Sequence, residues 1–283
     1  MRTTNEGHNA KVARHYDVNQ LMFSLFWSRD YLRYGLWDEN TRSLVEALTN
    51  TDRLVANQLN LTPDDLVLDA GCGVGGSAIY FARNYRSHIV GINICESQLE
   101  IARKKVSKAG LEDLIDFKNA DFTQTPFGDE TFTKMYAIES VYHAEDPQAF
   151  TDEAFRVLKP GGTLAVVDRF LVKDDMTPAQ KAQYQEFMDG QAVKSIPTFR
   201  QFRECIDKSG LISIEFYDKM PEVRKCSKKS SRLTRLNYPL TWALTKTHLL
   251  PPEILEHGDS LLAIQKLFDS GVMTYCAYTG RKP

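Results

Sequence analysis

The residues best placed to do chemistry fall in one run, Asp69-Ala70-Gly71-Cys72-Gly73-Val74-Gly75-Gly76, between a short apolar segment and an amphipathic one. Glycines carry no Cβ, so backbone there can approach a ligand closely, and the helix start behind them offers free N–H groups. Gly71, Gly73 and Gly76 satisfy the G-x-G-x-x-G spacing that also cradles dinucleotide pyrophosphates, so the glycines alone choose no ligand. Two neighbours bear on the choice. Asp69, at the end of the preceding strand, sets a carboxylate beside the first turn, awkward for a doubly negative pyrophosphate and favourable for a ligand with an ammonium and a sulfonium. The next strand ends in Asn93 rather than the acid expected to hold an NAD ribose. Both features favour S-adenosylmethionine over a nicotinamide dinucleotide.

The elements that must position this loop alternate short apolar runs with amphipathic segments, the pattern of a parallel sheet covered by helices. Strands are expected at 66–69, 89–92, 134–138 and 163–168, helices at 77–84, 97–107 and 147–157, the last capped by Asp146 with Pro147 at its first position. Lys159-Pro160-Gly161-Gly162 reads as a turn. Thr177-Pro178 and Thr198-x-x-Gln201 open two later helices, and Ile212, Ile214 and Phe216 alternate as a half-buried strand. A long helix-like stretch from about 223 to 269 then precedes a last strand at 272–279. That stretch is too long for a plain connection and reads as a cap.

Composition narrows the class. The chain has 283 residues, 42% of them apolar, with 35 Lys and Arg against 37 Asp and Glu for a net charge of −2. That balance argues against bulk attraction to nucleic acid, and no apolar stretch approaches the roughly 18 residues that span a bilayer. Glu6, Lys11, Arg14 and Asp17 near the start are unlike a secretory signal, and five scattered cysteines without a C-x-x-C pair suggest neither a disulfide framework nor a metal site. The expected compartment is a reducing, cytoplasmic one.

Val67 to Gly76 resembles the first motif of the class I S-adenosylmethionine-dependent methyltransferases. Further blocks of that family follow in order: Ala120-Asp121-Phe122, Thr125 to Phe132, Ala137-Ile138-Glu139-Ser140, His143, and Arg156-Val157-Leu158-Lys159-Pro160-Gly161-Gly162. The resemblance covers about residues 60–170 and is greatest to the branch acting on tocopherols, sterols, quinone precursors, alkaloids and phosphoethanolamine. It implies an α/β, Rossmann-like seven-stranded sheet with helices on both faces. The chain then divides into an amino-terminal helical arm at 1–60, a cofactor-binding core at 61–172, and remaining strands with a helical cap at 173–283. By position, Gly71 and Gly73 pack on the methionine part of the cofactor, Asp69 orders its amino end, Asn93 and Ile94 flank the ribose and adenine, Asp121 and Phe122 meet the adenine, and Glu139 lies beside the methionine. Asn93 departs from the acid most relatives carry there, so Gln98 becomes the alternative ribose contact.

His143, four residues after Glu139 on the loop following the fourth strand, sits where open α/β sheets bind ligands and could take a proton near neutral pH; a histidine merely bonded to local backbone is the competing reading. His143 and Glu139 are therefore the catalytic candidates. Aromatics crowd the arm, and the resemblance implies that Tyr31-Leu32-Arg33-Tyr34-Gly35 folds over the cofactor; Tyr16, Tyr31, Tyr34 and, from the cap, Trp242 are the expected acceptor wall. No metal is expected. The expected reaction is in-line methyl transfer to O, N or C of a small lipophilic or aromatic metabolite, leaving S-adenosylhomocysteine. A phosphorylated acceptor such as a prenyl diphosphate or phosphobase is the alternative; a nucleic-acid methyltransferase, a dinucleotide oxidoreductase and an inert cofactor-binding module are the further rivals. The basic run Arg224 to Arg235 reads as a solvated helix face, an anionic ligand or a peripheral membrane contact being the alternatives.

Overall fold

Adjacent residues buried on opposite faces explain the sheet. Val67, Tyr136 and Ala165 pack into one apolar layer, while Leu68, Met135 and Leu164, one residue away in each case, pack into the other, so these strands are apolar throughout. The computed structural model describes residues 6–283, leaving the first five residues of the expected arm outside it. Seven strands run in the order β3-β2-β1-β4-β5-β7-β6. They are β1 (Leu66–Ala70), β2 (His88–Asn93), β3 (Ile115–Asn119), β4 (Phe132–Ile138), β5 (Leu158–Leu171), β6 (Ile212–Asp218) and β7 (Met273–Arg281). The first five pair in parallel, and β7 runs antiparallel between β5 and β6.

One face is covered by α2 (Leu44–Leu59), α3 (Gly76–Tyr85), α4 (Glu96–Ala109) and the late helices α8 (Met220–Lys246) and α9 (Pro252–Asp269), through residues such as Phe81, Leu99 and Leu267. The other is covered by α5 (Pro147–Val157) and α7 (Phe199–Ser209), through Phe150, Phe202 and Ile206. Between them in the chain, α6 (Pro178–Gly190) packs against α9. The expected caps are present: Asp146 accepts from the Gln148 N–H at 2.9 Å, and Thr177 with Gln180 and Thr198 with Gln201 form reciprocal capping boxes.

Two local readings are revised. The 223–269 stretch is two helices, because Pro251 and Pro252 cannot continue α8 and Pro252 instead begins α9. Lys159 to Gly162 lies inside β5 as a bulge: the register with β4 passes from Phe132↔Leu158 to Lys134↔Thr163, and Gly161 takes φ +78°. At the carboxyl edge, α1 (Glu6–Phe26) is laid across the loops that follow β2, β3 and β4. Gln20 accepts from Gln98 Nε2 at 3.2 Å, Asn9 Nδ2 donates to Asp121 at 2.8 Å, and His8 Nε2 bonds the His143 carbonyl at 2.9 Å.

Candidate active site

At the end of β1 the chain turns at once. Gly71 N and Cys72 N both donate to Ile92 O at 2.9 Å, and Ser140 Oγ donates to Ala70 O at 2.6 Å. Gly71 has φ +91°, and a Cβ there would stand 2.4 Å from the Ser140 Cβ. A Cβ on Gly76, the first residue of α3, would stand 2.2 Å from Asp30 O. Glycine is thus required on both sides of the loop: the β4 loop presses on one side and the arm on the other. The space left under the arm, about 730 Å³ and partly open to solvent, is bounded by Asp69, Gly71, Gly73, Asn93, Ile94 and Gln98 among others.

A second cavity of about 1030 Å³, also partly open, lies between α1, α8 and α9. Its walls are largely aromatic and aliphatic, with Phe23, Trp27, Tyr34, Tyr142 and Leu261, and its few polar groups include Asn19, Arg169, Gln191 and His257. Tyr16, Leu32, Arg33 and Glu139 line both cavities, so the two chambers meet across one wall. Small-molecule sites share this mixture of apolar lining with fixed polar groups.

The shared wall is tightly bonded. The Tyr16 hydroxyl is 2.9 Å from His143 Nε2 and 3.3 Å from the Tyr142 hydroxyl. Burial holds His143 well below its ordinary pKa of 6.5, with His15 and His8 adding to the effect, so its imidazole is neutral at physiological pH. Its Nδ1 is buried and has no partner among the described residues. Burial raises both Tyr16 and Tyr142, which keeps the phenols protonated. Glu139, at φ +50°, accepts from Tyr34 N at 2.6 Å, Tyr275 Oη at 2.9 Å and the Arg169 guanidinium. That guanidinium lies 4.4 Å over the Tyr142 ring. Asp69 is 3% exposed and burial pushes it up to about 7, with the Tyr136 hydroxyl and the Arg33 charge pulling the other way. Its Oδ2 has no partner among the described residues.

Residues 68–166 match the family described as a methyltransferase domain. Methyltransferase GfsG of Streptomyces halstedii is 31% identical over 77% of this chain and 79% of its own length. The 27-O-demethylrifamycin SV methyltransferase of Amycolatopsis mediterranei is 37% identical over 57% of this chain and 59% of its own. Among solved structures, geranyl diphosphate C-methyltransferase from Streptomyces coelicolor A3(2), in complex with Mg²⁺, geranyl diphosphate and S-adenosylhomocysteine, superposes with a TM-score of 0.75 at 16% identity, covering 98% of each chain. The chain belongs to the class I S-adenosylmethionine-dependent methyltransferases. It is an enzyme that methylates a small metabolite with S-adenosylmethionine as donor.

In this methyltransferase the chamber under the arm fits that donor: an unpartnered carboxylate oxygen of Asp69 at its rim suits an ammonium, and the Cβ-free turn at Gly71 and Gly73 leaves room for a thioether chain. Asn93, Ile94, Gln98, Phe122, Glu139 and His143 all border it, as their sequence positions suggested. Asn93 and Gln98 are moreover joined, Nδ2 to Oε1 at 2.8 Å, and Gln98 is buried rather than being the exposed face of α4.

Three placements differ from expectation. Asp121 does not border the chamber; one carboxylate oxygen accepts from Asn9 and the other from Thr123 N at 2.8 Å, because the loop uses it to cap its own turn. Tyr31 belongs to the donor chamber, not the acceptor one, since its ring lies against Gly76 under the Arg33 guanidinium, 4.4 Å above. Trp242 lines neither chamber and is 49% exposed: the α8 stripe of Ser230, Leu233, Thr234, Asn237, Tyr238 and Thr241 faces inward, and Trp242 falls past its edge. His143 borders the donor chamber, and burial keeps its resting imidazole neutral. Tyr16 and Tyr34 do line the acceptor chamber. Sequence reasoning missed Arg169, Tyr142, Gln191 and His257. Arg169 could have been noticed as a positive charge following Asp168 in the apolar carboxyl half of β5; the other three carry no local signal.

Among the described residues no cluster of three or more His, Cys, Asp and Glu is arranged to hold a metal, and no helix is long and apolar enough to cross a membrane.

Proposed function

We propose that the acceptor is a small, largely apolar molecule whose methylated atom, an oxygen or a carbon, gives up a proton. The observation that carries this reading is the wall shared by two chambers, one able to hold the donor and the other lined by aromatics, with the Tyr16–His143 pair standing in it. Asp69 would hold the donor's ammonium, Gly71 and Gly73 its methionine chain, Asn93, Ile94 and Gln98 its ribose and adenine, and Phe122 the adenine face. When bound, S-adenosylmethionine supplies a methyl group on a positively charged sulfur whose departure leaves a neutral thioether.

The residues' main task is then alignment and exclusion of water, a contribution of about 7–11 kcal/mol for well-oriented groups. Tyr16 takes the acceptor's proton as its own passes to His143 Nε2, a contribution of about 10²–10⁴-fold. Because burial disfavours the imidazolium, that transfer accompanies methylation rather than preceding it. Glu139 ties Tyr34 and Arg169 together and so holds the arm against the strand ends. A phosphorylated acceptor is disfavoured: the two cations lining the acceptor chamber, Arg33 and Arg169, are already paired with Asp52 and Glu139. Of the relatives named above, the 27-O-demethylrifamycin SV methyltransferase supports an acceptor without phosphate, whereas the geranyl diphosphate C-methyltransferase, at 16% identity, holds a phosphorylated one. All five cysteines are free, which suits a reducing, cytoplasmic setting.

A screen with radiolabelled donor against phenolic, amine and prenyl-diphosphate acceptors tests the proposal. Turnover is expected on apolar hydroxyl compounds and is expected to fall in Tyr16→Phe and His143→Ala. Preference for diphosphates or amines, or full activity in both variants, would refute it.

A further inference from the structure

The side of α8 turned away from the acceptor chamber is exposed, and its composition is segregated along the axis. Arg224, Lys225, Lys228, Lys229, Arg232 and Arg235 come first, then Leu236, Leu240 and Trp242, with Lys246 and Leu249 at the end. No acid occurs between Val223 and Pro252. Arg224 lies 3.5 Å from Asp269 and Lys225 lies 3.9 Å over the Trp37 ring, whereas Lys228, Lys229, Arg232, Arg235 and Lys246 have no ion-pair partner among the described residues. Removing those seven cations from the chain's net −2 leaves −9 on the remainder, so this face is strongly polarised against the rest of the molecule.

A solvated helix face accounts for the cations but not for their neighbours. Leu236, Leu240 and Leu249 are 72%, 64% and 71% exposed, more than isolated surface leucines need explain when they stand together with Trp242 at one end of a basic strip. Across the acceptor chamber, Leu21 and Leu25 of α1 are similarly exposed, and Phe26, which lines the chamber, is itself open to solvent.

We propose that this face docks on an anionic lipid bilayer, with the cations of α8 on the headgroups and Leu236, Leu240, Trp242 and Leu249 entering the interface. Unpaired cations beside exposed aliphatic and indole side chains match a surface that is negative outside and apolar beneath; an acidic protein would leave the leucines without a match. The docking stands independently of the acceptor's identity.

The test sediments the full chain with vesicles of phosphatidylglycerol and phosphatidylcholine, and with phosphatidylcholine alone. Association with the anionic vesicles only, weakened by added salt, is expected. Each cation near such a surface is worth about fivefold, so Lys228→Ser/Lys229→Ser/Arg232→Ser/Arg235→Ser should reduce it by roughly several hundred-fold. Leu236→Glu/Leu240→Glu should abolish it, with the donor's dissociation constant unchanged in both variants as evidence of folding. No association with either vesicle overturns the proposal, as does equal association of the wild type and the charge variant. A dimer in solution that these substitutions break, without any vesicle binding, gives the face to a second copy and overturns it too. Turnover on a water-soluble acceptor reads the acceptor assignment separately.

Discussion

Asp69 links donor binding to pH. Its carboxyl is 3% exposed, pushed up to about 7 by burial, and has an oxygen with no partner among the described residues, and Asp69 borders the donor chamber. Only the ionised form attracts an ammonium. With a pKa of about 7, roughly one molecule in eleven is ionised at pH 6 and about ten in eleven at pH 8, so donor affinity should rise about tenfold across that interval. Calorimetry at pH 7 in buffers of different ionisation enthalpy should show release of about half a proton per donor bound. Asp69→Asn should remove both the slope and the proton release while weakening binding by about 1.5–3 kcal/mol, the value of a hydrogen bond to a charged group. The unliganded protein should behave in the opposite sense. The folded chain holds the extra proton between the unfolded value of 3.8 and about 7, so its stability falls as pH rises through that window, by up to about 4 kcal/mol, and the Asn variant should not show that fall. An affinity that is flat from pH 6 to 8 in the wild type, or an equal slope in the Asn variant, would show that Asp69 is not the group that titrates.

Further outcomes follow from other parts of the site. Tyr16→Phe should lower kcat by about 10²–10⁴-fold on a hydroxyl acceptor without changing donor affinity, as single-turnover and titration experiments would show. Gly71→Ala should abolish donor binding, since its Cβ meets Ser140; adding Ser140→Gly should relieve that collision and leave the strain of a positive φ, about 1–2 kcal/mol, together with the lost Ser140–Ala70 hydrogen bond, about 0.5–1.5 kcal/mol, in thermal unfolding. Arg33→Ala should cost about 3–5 kcal/mol in denaturant unfolding because it strands the fully buried Asp52 carboxylate, whereas Arg33→Met with Asp52→Leu should recover most of that loss. Phe202→Ala, in the layer opposite the site, should cost about 3–5 kcal/mol with donor affinity intact.

The glycine loop and its flanking strands were legible because their cause is local: a run of β1 residues buried on both faces and a turn only glycine can make. The caps of α5, α6 and α7 were legible for the same reason. β3 went unread, although Ile115 and Phe117 alternate with polar residues, because five residues give too short a pattern. The acceptor chamber was only half legible. Tyr16 and Tyr34 stood out as aromatics, but which side of α8 faces inward depends on where α9 packs, and this defeated the placement of Trp242. Asp121 was misplaced because its competing partner, Asn9, lies 112 residues away. The neutrality of His143 follows from burial beneath α1, a contact between distant segments of the chain.

A single helix, α1, roofs one chamber and walls the other, with Tyr16 common to both. Lifting it to admit or discharge one occupant unseals the second as well. The two products would then escape in the same opening event, and the speed of that hinge, rather than of bond making, would set the turnover rate once both substrates are abundant.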